Sequence, residues 1–249
     1  KRHPTKMIEK KLNLHFRRFE FKYILEKDVA DRIIPDLMNY MEWDPYVGEN
    51  DYYECHSLYM DNRNLKAYHE KIDGILNRKK VRIRSYTRDY KPGDPLFFEL
   101  KRKSGEIILK DRVVIPGKHL PEFIEDPFSL LKYDEFDKDF LNEFIFEYTN
   151  YRMDPKILVS YKRKPFFSKI NPNFRVTFDY DMEFAPADRA DYDLEYTKMN
   201  EDFVVMEVKF NGSVPKWFHN ILNMYKLDRK DSCKYCFGID TLYGEPSFA

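Results

Sequence analysis

Residues 80–90 read KVRIRSYTRDY, and this stretch decides the fold that we predict for the chain. Side chains of a β-strand alternate between its two faces, so Arg82 and Arg84 would share one face while Val81 and Ile83 share the other. One such strand carries little information, because an antiparallel sheet commonly turns its polar face to water.

The same alternation recurs along the chain, most closely in residues 97–103, FFELKRK. The sequence also contains pairs of charged residues that are an even number of positions apart, with apolar residues between or beside them. These pairs are Glu20/Lys22, Glu99/Lys101, Lys110/Arg112, Arg175/Asp179 and Glu207/Lys209. Six or more strands of this kind predict a curled sheet, whose charged face lines a cavity and whose apolar face is buried by helices. Such a cavity would suit a polyanion.

Composition limits the classes of protein to consider. The 249 residues suit one large domain, and 43 basic residues balance 43 acidic ones, so we expect no nucleic-acid partner. The sequence contains no run of about 18 apolar residues and no visible signal peptide, which favours a cytoplasmic location and no membrane segment in this chain. A membrane protein stays open as a partner.

Cys233 and Cys236 have CxxC spacing, but zinc would need two more ligands, so two semi-buried thiols are favoured over a metal or redox site.

Strands and helices follow from the spacing of apolar residues. Strand character is found in residues 15–25, 51–61, 77–89, 95–103, 106–115, 155–165, 173–181, 203–211 and 232–240. Helical spacing is found in residues 26–41, 62–72 and 215–227, and residues 120–151 form an amphipathic cover. This order of elements predicts an α+β fold with a closed barrel, which also removes sheet edges, and with helices packed outside it.

The predicted charged face carries more cations than acids. The basic candidates are Lys22, Arg82, Arg84, Lys101, Lys110, Arg112, Arg163, Arg175, Lys209 and Lys234. The acidic candidates are Glu20, Glu99, Asp179 and Glu207. Such a surplus is unfavourable when desolvated unless a polyanion occupies the space, and a few carboxylates beside it suit Mg²⁺ or Mn²⁺. Cations, acids and a metal together are typical of phosphoryl transfer. The alternative is a wet sheet face with ordinary cross-strand salt bridges.

Eleven segments match a known family in order: RRFEFKY (17–23), SLYMDN (57–62), AYHEKIDG (67–74), RKKVRIRSY (78–86), FFELKRK (97–103), ILKDR (108–112), YKRKPF (161–166), FRVTFD (174–179), MEVKF (206–210), VPKWF (214–218) and SCKY (232–235). The chain resembles the VTC domain of vacuolar transporter chaperone polyphosphate polymerases, in a stand-alone bacterial form, within the triphosphate tunnel metalloenzyme superfamily. The resemblance implies an eight-stranded antiparallel tunnel barrel over residues 16–240, with tails at 1–15 and 241–249.

The resemblance also implies an activity and a set of residues. The family moves the γ-phosphoryl group of ATP onto a growing polyphosphate chain with Mn²⁺ or Mg²⁺, so ATP, triphosphate and polyphosphate become the expected ligands. The residues implied to hold phosphates and to act in catalysis are Lys22, Arg82, Arg84, Lys101, Arg163, Arg175 and Lys234. Lys110, Arg112 and Lys209 are weaker phosphate candidates, and Tyr161 either assists through its hydroxyl or packs. Glu207 is implied to hold the metal, with Glu20, Glu99 and Asp179 as weaker candidates.

One departure from the superfamily pattern bears on the reaction. Hydrolytic and cyclising tunnel enzymes begin with ExExK, but here Arg18 stands in place of the first glutamate of that motif. The loss of one metal ligand favours synthesis of polyphosphate over a water-activating site. A metal-dependent triphosphatase and a non-catalytic polyphosphate- or nucleotide-binding module remain the alternatives.

Overall fold

The computed structural model describes residues 18–47, 50–105, 107–187, 195–199 and 202–244. The strands are β1 (Arg18–Glu26), β2 (Met41–Trp43), β3 (Tyr53–Asp61), β4 (Asn77–Ser85), β5 (Pro95–Ser104), β6 (Ile107–Pro116), β7 (Asp154–Ser168), β8 (Arg175–Pro186), β9 (Thr197–Lys198) and β10 (Phe203–Asn211). The helices are α1 (Lys27–Met38), α2 (Lys66–Ile72), α3 (Leu120–Glu125), α4 (Lys138–Asn150), α5 (Lys216–Met224) and α6 (Lys234–Tyr243), with 3-10 turns at Gly117–His119 and Pro127–Lys132. The predicted tail 1–15 lies outside the described residues, whereas residues 241–243 of the other predicted tail belong to α6.

All strands pair antiparallel, so the α+β class is confirmed, but the prediction of a closed eight-stranded barrel is wrong. Eight strands follow the order β1-β10-β8-β7-β3-β4-β5-β6, while β2 pairs with β7 and β9 pairs with β8, which makes ten strands over the residues that the structure describes. The two extra strands are too short to show any alternation in the sequence. The edge strands β1 and β6 come within 8 Å of each other between Cα atoms, yet no ladder joins them in the described part of the chain. Alternation predicts which way side chains point and leaves open whether the sheet edges meet.

The convex face of the sheet is the apolar one, as predicted. Val81, Ile83 and Leu100 are fully buried in one cluster with Phe144 of α4. A second cluster places alternate residues of β1, β8 and β10 under α1 and α5. Burial of these apolar surfaces, at about 25 cal/mol per Å², holds the helices on the outside and fixes the register of the strands.

Helix α6 departs from the prediction in two ways. Residues 232–240 were expected to form a strand, and the expectation was wrong because a short apolar run cannot be told from a buried helix by periodicity. The helix also lies on the concave side, since Tyr235 and Phe237 share a buried cluster with Ile157 and Val159 of β7. Gly238 permits this approach, because a Cβ there would lie 2.5 Å from Ile157 Cδ1. Helices therefore cover the convex face of the sheet, and α6 also packs on part of its concave face.

A bulge in β8 divides the concave face into an apolar half and a charged half. Between the pairs Ser160↔Glu183 and Lys162↔Tyr180 the register shifts by one, and Asp181 there adopts a positive φ of 49°. The extra residue changes the phase of alternation, so charged Asp179 and apolar Met182 both face inward.

No described helix is long and apolar enough to cross a membrane.

Candidate functional site

The charged half of the concave face encloses a cavity of about 790 Å³. Strands β1, β3, β4, β5, β6, β7 and β10 contribute to its wall, together with the residues that lead into α6. Among the described residues, fourteen Lys and Arg side chains line it against three Asp and Glu. In a chain of zero net charge, positive charge is therefore concentrated at this place.

Most of the residues predicted for the site line this cavity. They are Lys22, Arg82, Arg84, Lys101, Lys110, Tyr161, Arg163, Lys209 and Lys234, with the acids Glu20 and Glu207. Two predicted cations do not line it. Arg112 is exposed with its guanidinium 5.0 Å from the centre of the Phe97 ring, and Arg175 is exposed at the first residue of β8. Glu99 and Asp179 lie behind the lining cations, with exposed fractions of 1% and 0%.

A four-residue ion cluster forms the inner wall next to α6. Arg163 donates two hydrogen bonds to the Asp179 carboxylate, of 2.6 Å from Nε and 2.8 Å from Nη2. Lys234 Nζ lies 2.6 Å from oxygens of both Asp179 and Glu207, and Arg163 Nη2 donates to Glu207 Oε2 at 3.3 Å. Burial would raise the pKa of Glu207, but Lys234, Lys209 and Arg163 hold it well below its usual range. Glu207 is therefore an anion surrounded by cations.

A second cluster lies on β4, β5 and β6. Arg82 Nε donates to Glu99 Oε2 at 2.6 Å, its Nη1 donates to the Tyr59 hydroxyl at 3.0 Å, and Lys110 also pairs with Glu99. The Glu99 carboxylate thus forms ion pairs with both Arg82 and Lys110. Burial and the neighbouring Arg82 lower the pKa of Lys110 to about 7, in spite of Glu99. The protonation of Lys110 therefore changes near neutral pH.

Arg84 is a deeply buried cation of the cavity that is held by hydroxyl groups. Its exposed fraction is 5%, and it donates to Ser57 Oγ and to the Tyr161 hydroxyl, both at 3.0 Å. Among the described residues, no carboxylate lies within 4.0 Å of its guanidinium. A buried guanidinium held by neutral hydroxyls keeps its charge available to a ligand.

A side-chain contact joins the edge strand β1 to β5, the neighbour of the other edge strand β6. Lys101 of β5 donates to the Glu20 carboxylate of β1 at 3.3 Å, and Lys22 Nζ lies 3.4 Å from the same carboxylate. Burial lowers the pKa of Lys101 to about 8, against the effect of Glu20. Lys101 thus contacts β1 from the other side of the gap that the backbone leaves.

The first turn of α6 faces the cavity. Lys234 is the first residue of this ten-residue helix, and Cys233 before it also lines the cavity. The unpaired backbone N–H groups and the dipole at such an end favour an anion. The helix thus adds positive potential to a wall that is already cationic.

Comparison with known proteins identifies the family. The sequence profile of the VTC domain matches residues 17–243. The chain belongs to the VTC domain family. A curated relative is subunit 4 of the vacuolar transporter chaperone complex of Trypanosoma cruzi (strain CL Brener), with 22% identity in an alignment 227 positions long that covers 77% of this chain and 28% of that protein. The chain thus spans less than a third of the length of that relative.

One solved structure supports the fold. A protein of Bacillus halodurans, provisionally described as an adenylate cyclase, aligns with a TM-score of 0.51 and 12% identity over 91% of this chain and 99% of its own. A protein of Vibrio parahaemolyticus with the same provisional description aligns with a TM-score of 0.44 and 9% identity over 86% and 94% of the two chains. The first of these places the VTC domain among proteins that share its curled sheet.

Sequence reasoning missed several cations that line the cavity of this VTC domain. Arg78, Lys80 and Lys103 continue the alternation of Arg82 and Lys101, so the pattern in β4 and β5 could have identified them. Lys71 comes from α2, and Arg229 and Lys230 come from the loop before α6, so the alternation of a strand could not identify them. Only the folded chain brings this second group to the cavity.

Carboxylate oxygens for a divalent metal are few. Among the described residues, no three His, Cys, Asp or Glu side chains come together as a metal cluster. Glu207 and Glu20 are diagonal neighbours across the β1–β10 pair, and both have pKa values far below the usual range, so both are ionised. Opposite Glu207 on β8, the buried Thr177 hydroxyl finds no hydrogen-bond partner among the residues that the structure describes. These oxygens fit Mg²⁺ or Mn²⁺ bound by one or two carboxylates together with phosphate oxygens of a substrate.

Proposed function

We propose that this VTC domain is an ATP-dependent polyphosphate polymerase, which transfers the γ-phosphoryl group of ATP to a phosphate chain held in the cavity. The observation that carries the proposal is the fourteen cations around one cavity of about 790 Å³. Adding Glu99 and Asp179 behind the wall brings the acids to five, so the surplus of charge remains positive. Ordinary salt bridges across a wet sheet would show the two signs in balance.

The surplus selects the class of ligand. Uncompensated buried charge costs several kcal/mol per ion, so a cavity of this composition is most stable when a polyanion fills it. A phosphate chain carries negative charge along its whole length and offers oxygens in pairs that match guanidinium forks. Arg84 and Arg82 would supply these forks, while the lysines act as point charges. A chain of phosphates, rather than one orthophosphate, would engage cations on opposite walls at once.

Charge placement is also what phosphoryl transfer requires. The transition state spreads charge over the oxygens of the transferred group, and catalysis depends on positioning and electrostatic stabilisation. Arg163 and Lys234 are held in place by Asp179, so they present fixed cations to the reacting phosphate. Glu207, with Glu20 beside it, would hold Mn²⁺ or Mg²⁺, which would neutralise charge on the phosphates when bound.

A triphosphatase that releases orthophosphate could use the same cavity, and so could a module that only binds. Incubation with ATP and Mn²⁺ or Mg²⁺ separates the three. We expect a polymer ladder on a gel together with ADP. Orthophosphate from triphosphate without polymer would replace the proposal with hydrolysis, and tight binding without either product would indicate a binding module. Arg102, next to Lys101 on β5 but bonded to Glu143 on the opposite face, provides a matched control for cavity mutations.

A further inference from the structure

Two cysteines at the start of α6 are placed for chemistry that the phosphate cavity does not need. Cys233 occupies the N-cap position and Cys236 the third residue of the helix, and the third cysteine, Cys55, is fully buried elsewhere. Cys233 is partly exposed and lines the cavity, whereas Cys236 is buried behind it. A CxxC pair at a helix N-terminus brings two thiols into reach of one another.

The ammonium of Lys80 contacts Cys233, the first cysteine of this pair. Lys80 Nζ lies 2.9 Å from Cys233 Sγ, so a cation of the cavity wall is engaged by sulfur. A hydrogen bond with Cys236 lowers the pKa of the Cys233 thiol; burial opposes this shift, and Lys80 reinforces it. Cys233 is therefore the nucleophile of the pair, and Cys236 retains the proton.

We propose that Cys233 and Cys236 are a dithiol that low-molecular-weight disulfides oxidise to an intramolecular disulfide, and that this oxidation frees Lys80 for phosphate chains. In the first step the Cys233 thiolate attacks the disulfide RSSR, so that a Cys233–SR bond forms and RS⁻ leaves. RS⁻ then takes the proton of Cys236, whose sulfur attacks Cys233 Sγ and expels a second RS⁻. The two thiols lose two electrons, which reduce RSSR to its two thiol products.

The effect on the cavity follows from charge. Oxidation removes the negative sulfur beside Lys80, and a disulfide is a far weaker acceptor than a thiolate. The N-cap and third positions of a helix are close enough that closing the bond needs little movement, so Lys234 between them stays with Asp179 and Glu207. The cavity thus gains one free ammonium. This step rests on the proposed function, whereas the dithiol chemistry does not.

The thiol chemistry is tested by mass and by thiol titration. The purified protein is equilibrated in mixtures of reduced and oxidised glutathione. We expect the titre to fall from three thiols to one, with the mass lower by two hydrogens, because buried Cys55 remains reduced. Cys236→Ser should stop at the mixed disulfide with glutathione, and Cys233→Ser should give no adduct. An unchanged titre, or an adduct on Cys236 in the Cys233→Ser variant, would overturn the dithiol assignment.

The coupling is tested with inorganic triphosphate by calorimetry on the reduced and the oxidised protein. We expect the oxidised protein to bind about tenfold more tightly, the effect of one additional charge-assisted hydrogen bond. Lys80→Met should abolish the difference between the two forms. Equal affinities in both wild-type forms would refute the coupling while leaving the proposed function intact. Failure of triphosphate to bind either form would overturn the coupling and the proposed function together, and the mass data would still decide the dithiol.

Discussion

Replacing Arg84 with methionine should stabilise the empty protein and weaken its response to triphosphate. The change removes a buried guanidinium that has no carboxylate within 4.0 Å among the described residues, and keeps a side chain of similar length. Relief of its desolvation is worth several kcal/mol. Against this, the Ser57 and Tyr161 hydroxyls each lose a hydrogen bond, at about 1 kcal/mol apiece. We expect a net gain of about 1–2 kcal/mol, or about 2–8 °C in the melting temperature of a chain of this size.

The ligand response should move in the opposite direction. Triphosphate at about 100 times its Kd stabilises the wild type by about 2.7 kcal/mol. Loss of a charge-assisted contact of about 2 kcal/mol weakens binding about thirtyfold. At the same concentration the stabilisation then falls to about 0.9 kcal/mol. The variant should therefore melt higher when empty and respond about one third as much to the ligand.

Differential scanning fluorimetry with and without triphosphate, at one fixed salt concentration, measures both effects. Arg102→Met is the matched control: it breaks ion pairs with Glu143 and Asp111 on the convex face, so it should lower the melting temperature slightly and keep the triphosphate shift. If Arg84→Met instead behaves like this control, Arg84 is an ordinary structural cation. Because Arg84 is the most buried cation of the cavity, this result would refute the proposal that the cavity binds phosphate chains.

Three further predictions follow from the same contacts. Glu207→Gln should abolish metal-dependent turnover while preserving metal-free triphosphate binding, because a neutral amide is a poor Mg²⁺ or Mn²⁺ ligand; unchanged turnover would place the metal elsewhere. Triphosphate binding should take up protons, more at pH 8 than at pH 6, because Lys110 has a pKa of about 7 in the empty cavity and the anion raises it. Calorimetry in buffers of different ionisation enthalpy measures this uptake, which Lys110→Met should reduce. Gly238→Ala should lower the melting temperature, since its Cβ would meet Ile157 Cδ1 at 2.5 Å, whereas Gly93→Ala, with open space around it, should change it little.

Alternation in the sequence was enough to identify the sorted sheet. Because the two faces of a strand differ by one residue in phase, the order of residues alone assigns Val81 and Ile83 to the core and Arg82 and Arg84 to the cavity. The family resemblance, confirmed over residues 17–243, also implied Lys234, which alternation had assigned to a strand and which lies at the start of α6. Arg175, at the start of β8, and Arg112, in the middle of β6, show the limit of the pattern, since a residue with the right phase can lie outside the cavity.

Only the tertiary structure decided what the concave face contains. The bulge at Asp181, the entry of α6 and the gap between β1 and β6 depend on contacts between segments far apart in the chain, which no local pattern encodes. The pairing of Lys80 with Cys233 joins residues 153 positions apart, so the CxxC spacing alone could not show that its first sulfur meets a cavity cation. Local periodicity determines which side chains share a face, whereas long-range packing determines which charges meet.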